Sequence, residues 1–162
     1  MKGGIYMVKI LFVCLGNICR SPMAEAYFKK IVDEAGLSDR FTIDSAGTSD
    51  WNVGKPPHQG TQEKLSAYDI PFDHIKSRQI GEDDFNSFDY IIAMDDQNIT
   101  DLTNIKIKGT NTKLTRLMDF VEDEALKDIP DPYYTGDFDQ TYELVQAGCQ
   151  SLLKTIRAKH QF

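Results

Sequence analysis

Val8-Lys9-Ile10-Leu11-Phe12-Val13-Cys14 runs into Leu15-Gly16-Asn17-Ile18-Cys19-Arg20 and then Ser21-Pro22. The first seven residues form a short, nearly continuous apolar run, the pattern of a strand buried on both faces of a parallel sheet. The run stops at the turn residues Gly16-Asn17. Ser21-Pro22 opens a segment carrying Ala24, Ala26, Phe28, Ile31 and Val32. Proline in the first turn with Glu25 beside it marks a helix N-terminus, and Gly36 marks the helix end.

Outward from this strand–loop–helix unit, strand signals recur at Phe41 to Ser45 and at Phe88 to Met94, with a helical stretch around Thr61 to Tyr68 between them. Lys113 to Phe120 is ambiguous: Leu114, Leu117 and Met118 suit a helical face, whereas the sheet needs a further strand here, and the reading leans to strand. From Phe138 to His160, Leu144, Val145, Gly148, Cys149, Leu152, Leu153 and Ile156 share one stripe of a helix expected to pack on the sheet. Asn104 to Asn111 is the most loop-like stretch. The expected fold is a single-domain, doubly wound α/β sheet of about four parallel strands flanked by helices, with the loop after the first strand. Residues 8–162 form the domain; residues 1–7 read as an N-terminal extension, with Met7 as an alternative start.

The chain has 162 residues, 41% hydrophobic and 27% charged, within the range of one domain with one core. Its net charge of -7 repels polyanions, which argues against nucleic acid as a partner. An anionic substrate therefore has to be held by local donors rather than by the overall field. Three cysteines, an odd number, do not suggest a secreted disulfide framework and fit a reducing, cytoplasmic setting. No stretch has the length and apolarity of a signal sequence or a membrane span. Monomer is the default oligomeric state.

The chemistry is concentrated in Cys14 to Ser21. Five residues between Cys14 and Arg20 let the loop close around a tetrahedral anion, with the N–H groups of Leu15, Gly16, Asn17, Ile18 and Cys19 directed inward and a helix N-terminus adding partial positive charge. Gly16 and Asn17 tolerate the dihedrals this requires. The same donors, with the Arg20 guanidinium, favour a thiolate at Cys14, which is a competent nucleophile. Arg20 is suited to hold two phosphoryl oxygens through its planar fork. Expelling a phenolate or alkoxide also requires an acid. Asp131-Pro132-Tyr133-Tyr134, preceded by Pro130, offers a carboxylate in a stiffened loop with aromatics that could wall a cleft. Taken alone, Asp131 is equally readable as a turn carboxylate between prolines.

These motifs, together with Pro22-Met23-Ala24-Glu25-Ala26, Ser45-Ala46-Gly47-Thr48, Trp51-Asn52-Val53-Gly54, Phe88-Asp89-Tyr90-Ile91 and Met94-Asp95, resemble in order the low-molecular-weight protein tyrosine phosphatases. The resemblance covers essentially the whole chain from Val8. It implies that Cys14 forms a phosphocysteine, Arg20 clamps phosphate, and Asp131 protonates the leaving group. It also implies that Ser21 hydrogen-bonds the thiolate and that Asn17, Ser45 and His74 form the network holding the loop, although the spacing after His74 departs by one residue from the family pattern. Trp51, Tyr133 and Tyr134 match cleft-lining positions. Cys19 matches a cysteine that can pair with Cys14 under peroxide and protect it from irreversible oxidation. The implied substrates are phosphotyrosine proteins or peptides, with inorganic phosphate as product inhibitor and no cofactor or metal.

Three rivals share parts of this pattern. A phosphoarginine phosphatase of the same fold carries a small threonine where Ile18 stands. An arsenate reductase needs relay cysteines, and none lies between Cys19 and Cys149. A phosphocysteine phosphocarrier would leave Arg20 and Asp131 unexplained. Elsewhere the plain readings prevail: Cys149 as a buried thiol, His58 and His160 as solvated, and Glu82-Asp83-Asp84 and Glu122-Asp123-Glu124 as solvated surface without the spacing of a calcium loop.

Overall fold

Along β1 (Val8–Cys14) side chains alternate between two separate cores, so the apolar run has no polar face to offer. Val8, Ile10, Phe12 and Cys14 pack into one cluster with α1 (Arg20–Glu34) and α6 (Phe138–His160). Leu11 and Val13 pack into the other, with Phe85 of α3 (Asp84–Ser87) and Leu102 of α4 (Asp96–Ile105). The computed structural model describes residues 6–106, 109–122 and 125–162.

β1 pairs in parallel with β2 (Phe41–Gly47) on one side and β3 (Tyr90–Ala93) on the other; β4 (Lys113–Arg116) extends the sheet beyond β3, giving the order β2-β1-β3-β4. The chain passes to one side of β1 and then crosses to the other, so the C-terminal end of β1 is the topological switch point, where open α/β sheets hold their ligands. Cys14 is the last residue of that strand. The expected parallel, four-stranded α/β architecture is the one observed.

α1 ends as its sequence predicts: Gly36 adopts φ +72°, and the Leu37 N–H bonds back to Val32 O. α2 (Gln59–Ala67) covers most of the expected helical stretch. The ambiguous segment Lys113 to Phe120 divides: four residues pair with β3, and Leu117–Phe120 then closes a 3-10 turn that buries Leu117 and Met118. The expectation of a strand throughout is corrected because an edge strand has one partner, while the apolar pair is needed beneath α6. α6 carries the expected buried stripe, with Leu144 half-buried, yet its main neighbours are α1 and the Leu117–Phe120 turn rather than the sheet.

Asn104 and Ile105 belong to α4 rather than to a loop; residues 107 and 108 lie outside the described residues. Of the acidic stretches, Glu82 and Asp83 are exposed, but Asp84 takes a bidentate pair from Arg78. Glu122 is exposed, and residues 123 and 124 lie outside the described residues. His160 is not solvated: its ring stacks on Tyr6 and Phe162, so the described end of the N-terminal extension rests against the C-terminal helix. Burial and then Lys159 push its pKa down. No helix among the described residues is long and apolar enough to cross a membrane.

Candidate active site

The loop after β1 is held from outside by its carbonyls. Thr48 N–H bonds Cys14 O, Ser49 N–H and Oγ bond Leu15 O, Asn52 Nδ2 and Ser77 Oγ bond Gly16 O, and His58 N–H bonds Ile18 O. Thr61 Oγ1 and Met23 N–H complete the set at Cys19 O. With these oxygens directed away, the amide side of the loop is left for a ligand, the arrangement of an anion nest. A Cβ at Gly16 would sit 2.9 Å from Asn52 Nδ2, so a larger residue there would displace the Asn52 side chain that bonds the Gly16 carbonyl.

Asn17 turns the loop at φ +53°, a left-handed conformation that asparagine accepts more readily than most residues. Its buried amide is fully used. Nδ2 donates to Ser21 Oγ at 2.7 Å and to Ser45 Oγ at 3.0 Å, while Oδ1 accepts from the Arg78 N–H at 3.0 Å. Ser21 Oγ in turn lies 3.0 Å from Cys14 Sγ, and the Asn17 N–H donates to the same sulfur at 3.3 Å. Ser45 Oγ donates to Glu25 Oε1 at 2.6 Å. Glu25, 3% exposed, is neutralised by Lys29 at 2.6 Å.

His74 lies at the far end of this chain of contacts. It is exposed, 3.0 Å from Lys29 Nζ and 3.9 Å from Glu25, and reaches Ser45 and Asn17 only through that carboxylate. Asn17, Ser21 and Ser45 thus meet directly, whereas His74 meets them at one remove. Glu25 is the member that the sequence reading took only as a helix N-terminal charge.

Arg20 is 2% exposed and opens α1. Nη1 donates to Asp95 Oδ2 at 2.5 Å and to Ile129 O at 2.9 Å, and Nη2 donates to Asp131 Oδ2 at 3.3 Å. Burial works against its charge, but Cys14, Asp95 and Asp131 outweigh that and raise its pKa. Nε is buried without a hydrogen-bond partner among the described residues, a donor available to an acceptor. Asp95 follows β3 and caps α4 by accepting from the Asn98 N–H. Its signal in the sequence was a carboxylate just past a buried strand, at the sheet edge where the site forms.

Asp131 caps a single helical turn, α5 (Pro132–Thr135), accepting the Tyr133 N–H at 3.1 Å through Oδ1. The other oxygen faces Arg20. A cleft of about 200 Å³ is lined by Cys14, Leu15, Gly16, Ile18, Cys19, Trp51, Asn52, Asp131, Tyr133 and Tyr134. Trp51, Tyr133 and Tyr134 remain 67%, 57% and 73% exposed, so they form a rim rather than a packed wall. Cys19 is buried within the loop, and its thiol is pushed up to about 12 by burial and by Cys14. Cys149 is fully enclosed on α6, as its stripe position predicts, and burial raises its pKa too. Among the described residues no cluster of three His, Cys, Asp or Glu side chains could hold a metal ion.

Residues 9–162 match the family described as Low molecular weight phosphotyrosine protein phosphatase. The protein named Low molecular weight protein-tyrosine-phosphatase YfkJ, from Bacillus subtilis strain 168, is 48% identical over 155 residues, 96% of this chain and 99% of that protein. The crystal structure of Bacillus subtilis YfkJ superposes with a TM-score of 0.93 at 47% identity, covering 98% of this chain and 99% of that one. That of DARP, a Drosophila arginine phosphatase, superposes with a TM-score of 0.87 at 35% identity over 93% and 98% of the two chains. The chain belongs to the low molecular weight phosphotyrosine protein phosphatase family.

Proposed function

We propose that this protein hydrolyses phosphotyrosine in proteins to tyrosine and inorganic phosphate through a phosphocysteine on Cys14. The observation that carries the reading is the convergence of a loop-enclosed thiol, an arginine with a free buried Nε, and a carboxylate held against that arginine. A phosphoryl group seated in the loop is met by the inward amides and by the Nε and Nη2 edge of Arg20. Cys14 Sγ attacks phosphorus in line; the P–S bond forms as the P–O bond to the phenol breaks. Asp131, in its protonated form, delivers its proton to the departing oxygen.

The second step reverses these roles. Asp131, now a carboxylate, takes a proton from water as the water oxygen attacks phosphorus and the P–S bond breaks. Cys14 leaves as a thiolate, stabilised by Ser21 Oγ and the Asn17 N–H at the distances given above. Inorganic phosphate occupies the same loop and acts as a product inhibitor. The Trp51, Tyr133 and Tyr134 rim suits a flat aromatic ring above the loop.

The resemblance to an arginine phosphatase makes phosphoarginine the substrate to set beside phosphotyrosine, with Ile18 at the cleft favouring the aryl ester. The test compares wild type, Cys14→Ser and Asp131→Ala on para-nitrophenyl phosphate, a phosphotyrosine peptide and phosphoarginine without added metal. Turnover of the aryl esters, abolished in Cys14→Ser and slowed about 10²-fold or more in Asp131→Ala, is the expected result. Preference for phosphoarginine moves the substrate class. An inert wild type with a stable phosphoenzyme indicates a carrier.

A further inference from the structure

The segment His58 to Thr61 touches both halves of the site. Its backbone and hydroxyl fix the phosphate loop: His58 N–H donates to Ile18 O at 2.7 Å, and Thr61 Oγ1 donates to Cys19 O at 3.2 Å. The His58 ring engages the acid side. It stacks on Phe138 with centroids 5.1 Å apart at 22°, and meets the Tyr133 ring edge-on at 6.0 Å and 88°. His58 is therefore half-buried and engaged, not the solvated residue its sequence neighbourhood suggested.

The ring orientation is fixed as well. Nδ1 accepts the Gly60 N–H at 3.0 Å, capping α2, so in this arrangement the ring proton is on Nε2. Gly60 allows Phe138 to approach: a Cβ there would lie 2.5 Å from the Phe138 ring. Tyr133 and Phe138 flank the short stretch that follows Asp131, and the Tyr133 N–H is the donor that orients the Asp131 carboxyl. Tyr133 thus carries both the ring contact to His58 and the backbone hydrogen bond to the carboxyl.

We propose that His58 is a positioning residue that ties the acid turn to the phosphate loop, so that Asp131 is held at a fixed place relative to the phosphoryl group. The inference rests on the reading of Asp131 as general acid. His58 exchanges no proton with substrate; it acts through Tyr133 and the backbone at Asp131.

A displaced acid transfers its proton less effectively, and the loss grows as the leaving oxygen becomes more basic. The measurement is kcat/KM, which reports the first displacement, across aryl phosphates with leaving phenols of increasing basicity. His58→Ala is expected to lower kcat/KM roughly tenfold for the most basic leaving group and no more than about twofold for the least basic. The inhibition constant for inorganic phosphate stays unchanged, and His58→Ala adds nothing in an Asp131→Ala background.

Two further variants separate positioning from folding. His58→Phe keeps the ring and is expected to keep the wild-type leaving-group dependence while losing thermal stability. His58→Asn keeps a capping oxygen and is expected to retain stability while showing the His58→Ala dependence. A loss uniform across leaving groups, or one that adds to Asp131→Ala, overturns the proposal and leaves His58 as a helix cap. If Asp131→Ala steepens the dependence and His58→Ala does not, positioning alone falls. If Asp131→Ala itself changes nothing, the acid assignment falls and the role of His58 with it.

Discussion

Replacing Asn17 by alanine tests whether the loop is held by side-chain hydrogen bonds from below. Three bonds disappear at once, to Ser21 Oγ, Ser45 Oγ and the Arg78 N–H. The two hydroxyl contacts are each worth about 1 kcal/mol, and the Arg78 N–H left without its acceptor costs about 1–3 kcal/mol. Alanine at φ +53° adds about 1 kcal/mol of backbone strain. The sum is a loss of about 4–6 kcal/mol, at the low end of the roughly 5–15 kcal/mol that holds a domain together. A domain in the middle of that range still folds, with a Tm lower by roughly 8–24 °C, from about 2–4 °C per kcal/mol in a domain of this size. Urea unfolding gives the free energy directly, and steady-state kinetics on an aryl phosphate should show kcat falling with it, because Ser21 loses the donor that orients it toward Cys14. Asn17→Gly, which adopts the same φ without a Cβ, should recover about 1 kcal/mol of the stability but none of the activity. A loss below about 1 kcal/mol with kcat intact would refute the argument that this amide sets the loop.

Gly148→Ala places a Cβ 2.5 Å from Leu117 Cγ. Overpacking of about 1–3 kcal/mol should outweigh the roughly 1 kcal/mol gained in helix propensity, and net stabilisation on chemical denaturation would contradict the packing described. Cys19 and Cys149 both titrate above their unfolded values, because burial, and at Cys19 also Cys14, opposes the thiolate. Each contribution is fully present below the unfolded value near 9; that of Cys19 is lost as pH rises through about 12, and that of Cys149 as pH rises through its own raised value. Unfolding free energy should thus fall by up to about 1.4 kcal/mol per pH unit for each group above pH 9, and Cys149→Ala should flatten that slope. Trp51→Ala removes an exposed rim ring and should leave stability within about 0.5 kcal/mol while lowering kcat/KM for aryl substrates roughly tenfold, read by thermal melts and kinetics on the same preparation.

β1 was readable because a central parallel strand is buried on both faces and needs an apolar side chain at almost every position. β4 was not, because an edge strand shows only intermediate burial and hands its apolar residues to the turn that follows. α4 buries only Asn98 and Leu102 along ten residues, so no periodic stripe announced it; its signal was Asp95 followed three residues later by Asn98, a reciprocal cap without the usual Glu or Gln. In the site, Cys14 and Arg20 were legible from local spacing, whereas Ser21 came from the family resemblance. Asp95 and Glu25 were not assigned roles, since each works through a partner 75 or 20 residues away. His58 was misread because its neighbours Pro56, Pro57 and Gln59 resemble a polar turn, while Phe138 and Tyr133, which enclose its ring, lie far along the chain.

The separation of 111 residues between Arg20 and Asp131 has a bearing on how the enzyme is born. On a ribosome adding about 5–20 residues per second, the loop is synthesised roughly 6–20 s before the carboxylate it faces. β1 has β2 as an early neighbour, but β3, Asp95, Ile129 and the helix that encloses Cys149 arrive later. During that interval Cys14 is an unshielded thiol on an unfinished sheet, open to the oxidants and thiols of the cell. The thiol proposed as nucleophile thus gains its enclosure only once the C-terminal part of the chain has been made.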